Sequence, residues 1–313
     1  MTDTMEPVRE YSAESSERGI LTSALGVVRY PSVMWQYRGL IRNLFQRDLF
    51  GRFRGSFLGI FWVLIHPLFL FAVYFLVFGY LFGSMRTGGD GPDPLFAVYL
   101  FAGLVTWTSF VEATTRSCST VLENGNLVQK VAFPSELLPV HLVMVSLIVS
   151  SVGSLVLLLV GLYFGALHLS LDLLLWPLLI LIQFVFTLGC SLFLANLQVF
   201  MRDTSHIYGI ASMAWFFATP VLWPVWLVRD KLPGVADALM AWNPMYPLVQ
   251  AHRQVFGLGY ETMRQSSEGP KLESIVPEPL WHNLGMASLW ALLSIILGYG
   301  CFVSRRHKYA DLV

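Results

Sequence analysis

The ionisable side chains that border apolar runs are the ones that could act as acids, bases or ion pairs. Glu112 and Arg116 stand four residues apart near the end of one such run, a spacing that permits an ion pair along a helix. A carboxylate in this position is more often structural than catalytic, although ionisable groups at membrane depth can carry function. We therefore interpret this pair as structural in the first place.

Motifs that would give the chain its own catalytic or nucleotide-binding site are absent from the sequence. It contains no GxxxxGK[ST] phosphate loop, no GxSxG and no HExxH. The seven histidines are scattered, and Cys118, Cys190 and Cys301 lack a spacing typical of a metal site. We expect neither catalysis nor a bound cofactor or metal in this chain.

Aromatic side chains are a second group with a recognisable chemistry, because ring faces stack on the C–H surfaces of sugars. Two apolar stretches are crowded with them, and the candidates for a substrate pathway are Trp62, Tyr74, Tyr80, Tyr99 and Trp107. The alternative is a set of lipid-facing rings, with Trp and Tyr in belts at the membrane interfaces. The sequence leaves both interpretations open.

The composition indicates the kind of element that must position these groups. Of 313 residues, 55% are hydrophobic and 13% charged, whereas soluble domains carry about 25% charged residues. The mean hydropathy is +0.61. Because an apolar helix of roughly 20 residues crosses a bilayer core, the sequence predicts an all-α membrane protein.

Apolar runs of sufficient length predict six transmembrane helices separated by polar turns. Two shorter apolar segments within residues 234–259 meet at Asn243-Pro244, and each is too short to cross a membrane. We expect them to form a re-entrant helical hairpin before the last span. The predicted spans cover residues 56–83, 95–115, 137–167, 173–200, 207–228 and 283–303.

The residues before the first span differ from the rest in pattern. Residues 1–30 are polar, without an apolar core, and are expected to form a flexible cytosolic tail. Residues 31–54 predict an amphipathic helix in the membrane interface, with Ile41 and Leu44 on one face and Arg42 on the other. The six-span domain then occupies residues 55–313.

Small residues and a proline mark the head of the first span. Gly51, Gly55 and Gly59 recur at intervals of four residues, a spacing that permits close helix contact in membranes. Pro67 lies inside the same span and is expected to bend it.

The distribution of basic residues predicts the orientation. Lys and Arg concentrate before the first span, in the turns on the same side, and after the last span at Arg305, Arg306 and Lys308. Short cytoplasmic loops carry an excess of these residues. Both termini are therefore predicted to be cytoplasmic.

Three motifs follow one another in the order of a known family: RDLFGRFRGSFLGIFWVLIHPL from Arg47, NLVQKVAFPSELLPV from Asn126 and WNPMYPLVQAHR from Trp242. Together they resemble the permease subunits of polysaccharide ABC exporters, a type-2 ABC transporter family that moves O-antigen, capsule or teichoic-acid polymers. The resemblance covers about residue 35 to the end. Its first motif is carried by Arg47, Asp48, Leu49, Arg52, Arg54, Leu58, Gly59, Trp62 and Pro67.

The resemblance implies a division of labour between subunits. The permease forms a homodimer, and a dimer of separate ABC subunits on its cytosolic face binds ATP and Mg. Residues of the interfacial helix and of the loop after the second span would receive the motion of the ATPase: Arg47, Asp48, Arg52, Leu122, Asn126, Lys130 and Phe133. The hairpin would cap the outer side, with Trp242, Asn243, Pro244 and Arg253 as its distinctive residues.

What the resemblance implies is a permease of the cytoplasmic (inner) membrane that exports a lipid-linked polysaccharide. Its partners would be a second copy of itself, the ATP-binding subunits, the polysaccharide and membrane lipids, but no nucleic acid. One alternative is the permease of a small-molecule or drug exporter. Another is a membrane glycosyl- or acyltransferase acting on polyprenyl-linked substrates, which would need a cluster of charged residues at one membrane face.

Overall fold

The structure is a computed structural model that describes residues 23–52, 54–81, 94–130, 134–165, 167, 169–223, 225–229, 231–258, 262–266, 269–273 and 278–312. Within these ranges the chain is helical apart from one short β-hairpin, in agreement with the predicted helical membrane fold. Five described helices are long and apolar enough to cross a membrane. They cover Gly59–Phe78, Phe96–Glu123, Ser135–Tyr163, Leu171–Phe200 and Leu280–Lys308.

The described residues of the first half of the chain form six α-helices, several with short 3-10 or π segments at their ends. A 3-10 turn covers Leu25–Arg29, another precedes α3 at Gly59–Phe61, a π-helix follows α3 at Phe75–Leu81, and Ser135–Leu137 leads into α6. The α-helices are α1 (Tyr30–Gln36), α2 (Arg38–Gly51), α3 (Trp62–Tyr74), α4 (Pro94–Glu123), α5 (Gly125–Lys130) and α6 (Leu138–Tyr163).

In the second half, the described residues form seven further α-helices and the hairpin. The 3-10 turn Leu171–Leu175 leads into α7, and Arg306–Lys308 follows α12. Strands β1 (Thr262–Ser266) and β2 (Gly269–Glu273) pair antiparallel. The helices are α7 (Trp176–Phe200), α8 (Thr204–Ala218), α9 (Trp226–Arg229), α10 (Pro233–Trp242), α11 (Met245–Val255), α12 (Leu280–Arg305) and α13 (Tyr309–Leu312).

The predicted interfacial helix consists of two pieces, α1 and α2, which meet at Tyr37. Its predicted apolar face is confirmed, because Ile41 and Leu44 are buried and Leu40 packs beside them against the bundle. The described helical structure includes residues before the predicted boundary at residue 31. Tyr30 is buried in the same core, so the last residues of the predicted tail belong to the fold.

The connection between α2 and α3 depends on two glycines for its backbone conformation. Gly55 and Gly59 have φ values of 78° and 52°, a left-handed region that favours glycine. A Cβ atom on Gly51, Gly55 or Gly59 would meet nothing within 4 Å. Within the described part of one copy of the chain these glycines make no close helix contact, and two of them turn the chain into the first span. The helix α3 is continuous through Pro67.

The second predicted span continues beyond its predicted end at residue 115. Helix α4 runs to Glu123, and a turn at Asn124 separates it from α5. Thr114 and Ser117 explain the extension. Each hydroxyl donates a hydrogen bond to a backbone carbonyl oxygen one turn earlier, so these polar side chains have a partner within the helix. Residues predicted to lie in a loop thus lengthen a rigid helix.

The fifth predicted span, residues 207–228, is not one continuous helix. Helix α8 ends at Ala218, and at about 1.5 Å per residue it is about 22 Å long, shorter than a bilayer core of about 30 Å. Turns at Thr219 and Pro220 follow it before the short helix α9. The proline at 220 cannot donate a backbone hydrogen bond and ends the helix.

Helices α7 and α12 make the closest helix contact of the bundle, and glycine makes it possible. A Cβ atom on Gly298 would lie 2.0 Å from the carbonyl oxygen of Gly189, and one on Gly189 would lie 2.3 Å from the backbone of Ser294. Small residues of this kind let helix backbones approach closely in membranes. This contact ties the last span to the centre of the bundle.

Candidate functional site

Four charged side chains join α2 to α4 at one end of the bundle; we call them the four-charge cluster. They are Asp48 on α2 and Arg52 directly after its last residue, with Glu112 and Arg116 on α4. Nη1 of Arg116 donates to Oδ2 of Asp48 at 2.8 Å, while Nη2 donates to the other carboxylate oxygen. Nη1 of Arg52 lies 2.5 Å from Oε1 of Glu112. Each arginine therefore pairs with an acid on the other helix.

The cluster follows from the helical spacing of both elements. Ile41 and Leu44 are buried on the inward face of α2, and Asp48 follows on the same face one turn later, with Arg52 another turn on at the end of the helix. The inward face therefore changes from apolar to charged along the helix. The pair predicted within α4 between Glu112 and Arg116 is replaced by these two contacts between helices. Bidentate pairing of a guanidinium with a carboxylate also fixes orientation, so α2 is held in register against α4.

The electrostatics of the cluster favour an ionised Asp48. Partial burial alone would raise the pKa of its carboxyl group. The hydrogen bonds and charge of Arg116, together with the charge of Arg52, outweigh that effect and hold the pKa of Asp48 below its usual value. The contact between α2 and α4 is therefore charged at neutral pH.

A polar cavity of about 370 Å³ adjoins the cluster, and we call it the α2 cavity. Arg47, Asp48 and Arg52 contribute to its wall from α2. Arg116 and Thr120 line it from α4, and further lining side chains come from α6. Its volume lies in the range of small-molecule sites, and its wall is rich in hydrogen-bond donors.

The same end of the bundle holds both ends of the described chain in place. Oη of Tyr30 donates to the carbonyl oxygen of Glu136 at 2.6 Å, and Nη1 of Arg306 donates to Oε1 of Glu136 at 2.8 Å. Oη of Tyr309 donates to Oδ1 of Asn196 at 2.9 Å. Glu136, at the entry to α6, thus connects the N-terminal helices with the segment after α12.

At the opposite end, Asn243 fixes the turn of the predicted hairpin, which the structure forms from α10 and α11. Its Oδ1 accepts from Nε1 of Trp215 at 2.8 Å and from the backbone N of Met245 at 3.0 Å. Its Nδ2 donates to Oγ1 of Thr219 at 2.8 Å. Pro244 precedes α11, and Trp242 is exposed at the end of α10. The hairpin is therefore bonded to the end of α8.

Arg253 on α11 is fully buried, and its guanidinium joins three segments. Nη1 donates to the carbonyl oxygen of Pro220 and Nη2 to that of Val221, at 2.8 and 2.7 Å. Nε donates to the carbonyl oxygen of Tyr99, and the guanidinium carbon lies 3.5 Å from the centre of the Tyr99 ring. Arg253 thus holds the second turn of α4 and the broken end of α8 against the hairpin.

Comparison with known proteins identifies the family. The profile described as ABC-2 type transporter matches residues 39–256, which include every helix from α2 to α11. The chain belongs to the ABC-2 type transporter family. This confirms the resemblance inferred from the three sequence motifs.

Individual relatives of this ABC-2 chain come from several bacteria. An O-antigen export system permease protein RfbA of Myxococcus xanthus is 31% identical over 92% of this chain and 100% of that protein. An RfbA protein of Klebsiella pneumoniae is 26% identical over 67% of this chain and 77% of its own length. The polysialic acid transport protein KpsM of Escherichia coli is 24% identical over 70% of this chain and 82% of its own.

The structure brings together only some of the residues predicted to couple this ABC-2 permease to an ATPase. Arg47, Asp48 and Arg52 share the α2 cavity. Leu122 lies on the last turn of α4, and Asn126 is exposed on α5. Lys130 ends α5, where its side chain is outside the described part, and Phe133 lies outside the described residues. The roles of these residues stay predictions.

The predicted pathway aromatics fall into two groups. Trp62 and Tyr80 are 41% and 58% exposed on the first span, and Tyr74, partly buried, stacks on a neighbouring ring there. Tyr99 and Trp107 are buried within the helix bundle. The ring of Tyr99 lies under Arg253, and the centre of the Trp107 ring lies 5.8 Å from that of Trp215. The structure does not bring the five rings to one surface.

Sequence reasoning missed several residues that organise the site. Glu136, Tyr309 and Asn196 carry no signal that the sequence analysis could use. A buried acid two residues after a proline and a tyrosine after a basic cluster gave no periodic signal, because their partners are far away in the sequence. The pairing of Gly189 with Gly298 likewise joins residues on separate helices.

Proposed function

We propose that this chain is the membrane permease of an ATP-driven exporter that moves a lipid-linked polysaccharide of the O-antigen, capsule or teichoic-acid type. The observation that carries the proposal is the 31% identity with the Myxococcus xanthus O-antigen permease, which extends over that protein's entire length. The similarity to KpsM, named for polysialic acid transport, supports a polysaccharide as the substrate class.

The proposed topology has six spans with both termini in the cytoplasm, in a cytoplasmic (inner) membrane. The five long apolar helices supply five of the crossings. The sixth would consist of α8 and the non-helical residues that follow it. Irregular backbone at membrane depth is tolerated only where it is buried in protein and its polar groups are paired. Thr219, Pro220 and Val221 are buried, and Arg253 pairs the last two carbonyl groups.

In this proposal ATP and Mg bind to partner subunits, because the sequence lacks a phosphate-binding loop. Two copies of the chain would form the pathway, and two ATP-binding subunits would dock at the end that carries α2 and α5. Membership of a transporter family favours transport over the glycosyl- or acyltransferase alternative.

Motion of the ATP-binding subunits would reach the spans through α2. This helix packs on α6 and is bonded to α4 through the four-charge cluster. Because α4 is one helix from Pro94 to Glu123, a displacement at Arg116 would be transmitted about 25 Å along it to Tyr99. There Arg253 connects α4 to the hairpin that would cap the outer side of the pathway.

Deletion of the gene in its native host tests the proposal against the drug-exporter alternative. The proposal predicts that a surface polysaccharide disappears and that its lipid-linked form accumulates inside the cell. A plasmid copy of the wild-type chain should restore the surface polymer. Intact surface polysaccharide together with altered sensitivity to small toxic compounds would instead support the drug exporter.

A further inference from the structure

We propose that the α2 cavity binds the phosphate group of a membrane lipid headgroup. The proposal concerns a binding site, and it depends on the proposed function only for one of its two lipid sources. Its starting point is the hydrogen bonding of the three arginines that line the cavity, Arg47, Arg52 and Arg116.

Both carboxylates of the wall accept hydrogen bonds from neighbouring side chains. Both oxygens of Asp48 accept from Arg116, and Oε1 of Glu123 accepts from Oγ of Ser119 at 2.5 Å. The guanidinium of Arg116 is therefore already paired with the carboxylate of Asp48. Nη1 of Arg52 is paired with Glu112, so the donors that remain in the described structure are Nη2 of Arg52 and the guanidinium of Arg47.

Donors facing the cavity lack acceptors. Nη2 of Arg52 is buried, lies 3.6 Å from Oδ2 of Asp48, too far for a hydrogen bond, and has no other partner in the described part of the chain. Arg47 is exposed, and no described carboxylate pairs with it. His141 lines the cavity at 5% exposure, and its Nδ1 has no partner of good hydrogen-bond geometry. A buried donor without an acceptor is costly, so an acceptor-rich ligand would stabilise this wall.

The chemistry of the donors selects phosphate. Guanidinium groups bind phosphate oxygens through paired, charge-assisted hydrogen bonds. The hydroxyl of Thr120 and the amide of Asn124, both at the wall, are neutral groups that complement further phosphate oxygens. The cavity volume of about 370 Å³ accommodates such a group without displacing the four-charge cluster.

The position of the cavity indicates that the phosphate group belongs to a membrane lipid. Helix α2 ends at Gly51, and the first span begins at Gly59. Phe57 lies between these two glycines and Phe61 lies just after the second one. Their side chains are 101% and 66% exposed, as expected for side chains in contact with lipid. The cavity therefore lies at the depth where the phosphate groups of lipids lie.

Binding to the purified full-length chain in zwitterionic nanodiscs tests the proposal without any transport reaction. The probes are phosphatidylglycerol, undecaprenyl phosphate and inorganic phosphate, measured by native mass spectrometry. The test variant is Arg47→Gln, which removes a charge that is exposed and unpaired in the described structure. The matched control is Arg42→Gln, an exposed arginine of the same helix that does not line the cavity.

We expect Arg47→Gln to weaken retention of at least one lipid about tenfold, the effect of losing one charged hydrogen bond, while Arg42→Gln matches the wild type. Loss of undecaprenyl phosphate alone assigns the site to a lipid-linked substrate, and loss of phosphatidylglycerol assigns it to bulk anionic lipid. Equal weakening by both variants, no weakening by either, or inorganic phosphate bound as tightly as the lipids would overturn the proposal. Lipid binding with failed polymer export would count against the proposed function alone.

Discussion

Nη2 of Arg253 donates to the carbonyl oxygen of Val221 at 2.7 Å, and this bond joins the hairpin to the broken end of α8. The backbone after Ala218 leaves the helix, so its carbonyl groups have no partner one turn ahead. A guanidinium is suited to this position because its planar fork reaches several acceptors at once. The positive charge also interacts favourably with the negative end of the α8 dipole.

Removal of the Arg253 guanidinium should destabilise the whole outer end of the bundle. Arg253→Met leaves the buried carbonyl groups of Pro220 and Val221 without donors, and we expect a loss of about 3 kcal/mol in the free energy of unfolding. Arg253→Lys should lose less, because an ammonium keeps the charge but reaches fewer acceptors. Denaturant titration of the purified chain in mixed micelles measures both, and wild-type stability of Arg253→Met would contradict the role of Arg253.

Gly103 provides an independent test of the same contact. A Cβ atom at this position would lie 2.5 Å from Nη2 of Arg253, so Gly103→Ala should displace the guanidinium. We expect a loss of about 2 kcal/mol, within the range for overpacked cores. Gly209→Ala is the matched control, because a Cβ atom there meets nothing within 4 Å. Equal stability of the two alanine variants would be inconsistent with the packing described.

The Asp48–Arg116 pair should show coupling in a double-mutant cycle. Asp48→Asn and Arg116→Gln each break the same bidentate contact. The loss of unfolding free energy in the double variant should therefore be smaller, by about 1 kcal/mol, than the sum of the losses in the two single variants. Additive losses would mean that the two side chains act independently.

The same pair predicts a dependence on pH. Because the pKa of Asp48 is lower in the folded chain than in the unfolded chain, its contribution to stability is fully present above the unfolded pKa of about 3.9. That contribution is lost as pH falls through the folded pKa. The stability difference between wild type and Asp48→Asn should therefore be constant from pH 7 to 5 and shrink below about pH 4. A difference that grows on acidification would reverse the assigned sign.

Close packing of α7 on α12 should make two glycines intolerant of any side chain. Gly298→Ala would place Cβ 2.0 Å from the carbonyl oxygen of Gly189 and must separate the helices, with an expected loss of more than about 2 kcal/mol. Gly285→Ala, earlier on α12, meets nothing within 4 Å and serves as the control. Thermal unfolding of the two variants in the same detergent compares them directly.

Replacement of the exposed aromatic residues on the first span should have a different effect from replacement of the buried ones. Trp62→Ala and Tyr80→Ala remove exposed rings, so the amount of folded protein should stay unchanged while polymer export falls if these rings contact the sugar chain. Trp107→Ala should instead reduce folded protein, at a cost of about 3–5 kcal/mol. Export that survives loss of Trp62, Tyr74 and Tyr80 would leave only the interpretation as a lipid-facing belt.

Periodicity made the helices predictable, because apolar runs and an amphipathic stripe are local properties of the chain. The apolar face of α2, the last three long helices and the turn at Asn243 were found in this way, within a few residues of their bounds. The limits of α4 and α8 were not, since the ends of those helices depend on hydroxyl groups that bond within the helix and on a proline.

The contacts that define the site were beyond sequence reasoning because they join residues far apart in the chain. Glu112 and Arg116 had a suitable spacing for each other, yet arginine and aspartate on α2 compete for them more effectively across helices. Arg253 was singled out as distinctive, but its partners, the backbone carbonyl groups of Pro220 and Val221, carry no side-chain signal.

Reconstituted transport tests the central claim most directly. The purified chain and an ATP-binding subunit encoded in the same genome would be placed in vesicles that contain the lipid-linked polysaccharide, and the polymer on the far side would be measured with and without ATP. The account predicts ATP-dependent appearance of polymer, and none when the ATP-binding subunit is omitted. A chain that brings no ATP-binding subunit from its native membrane and gives no ATP-dependent transfer would contradict it.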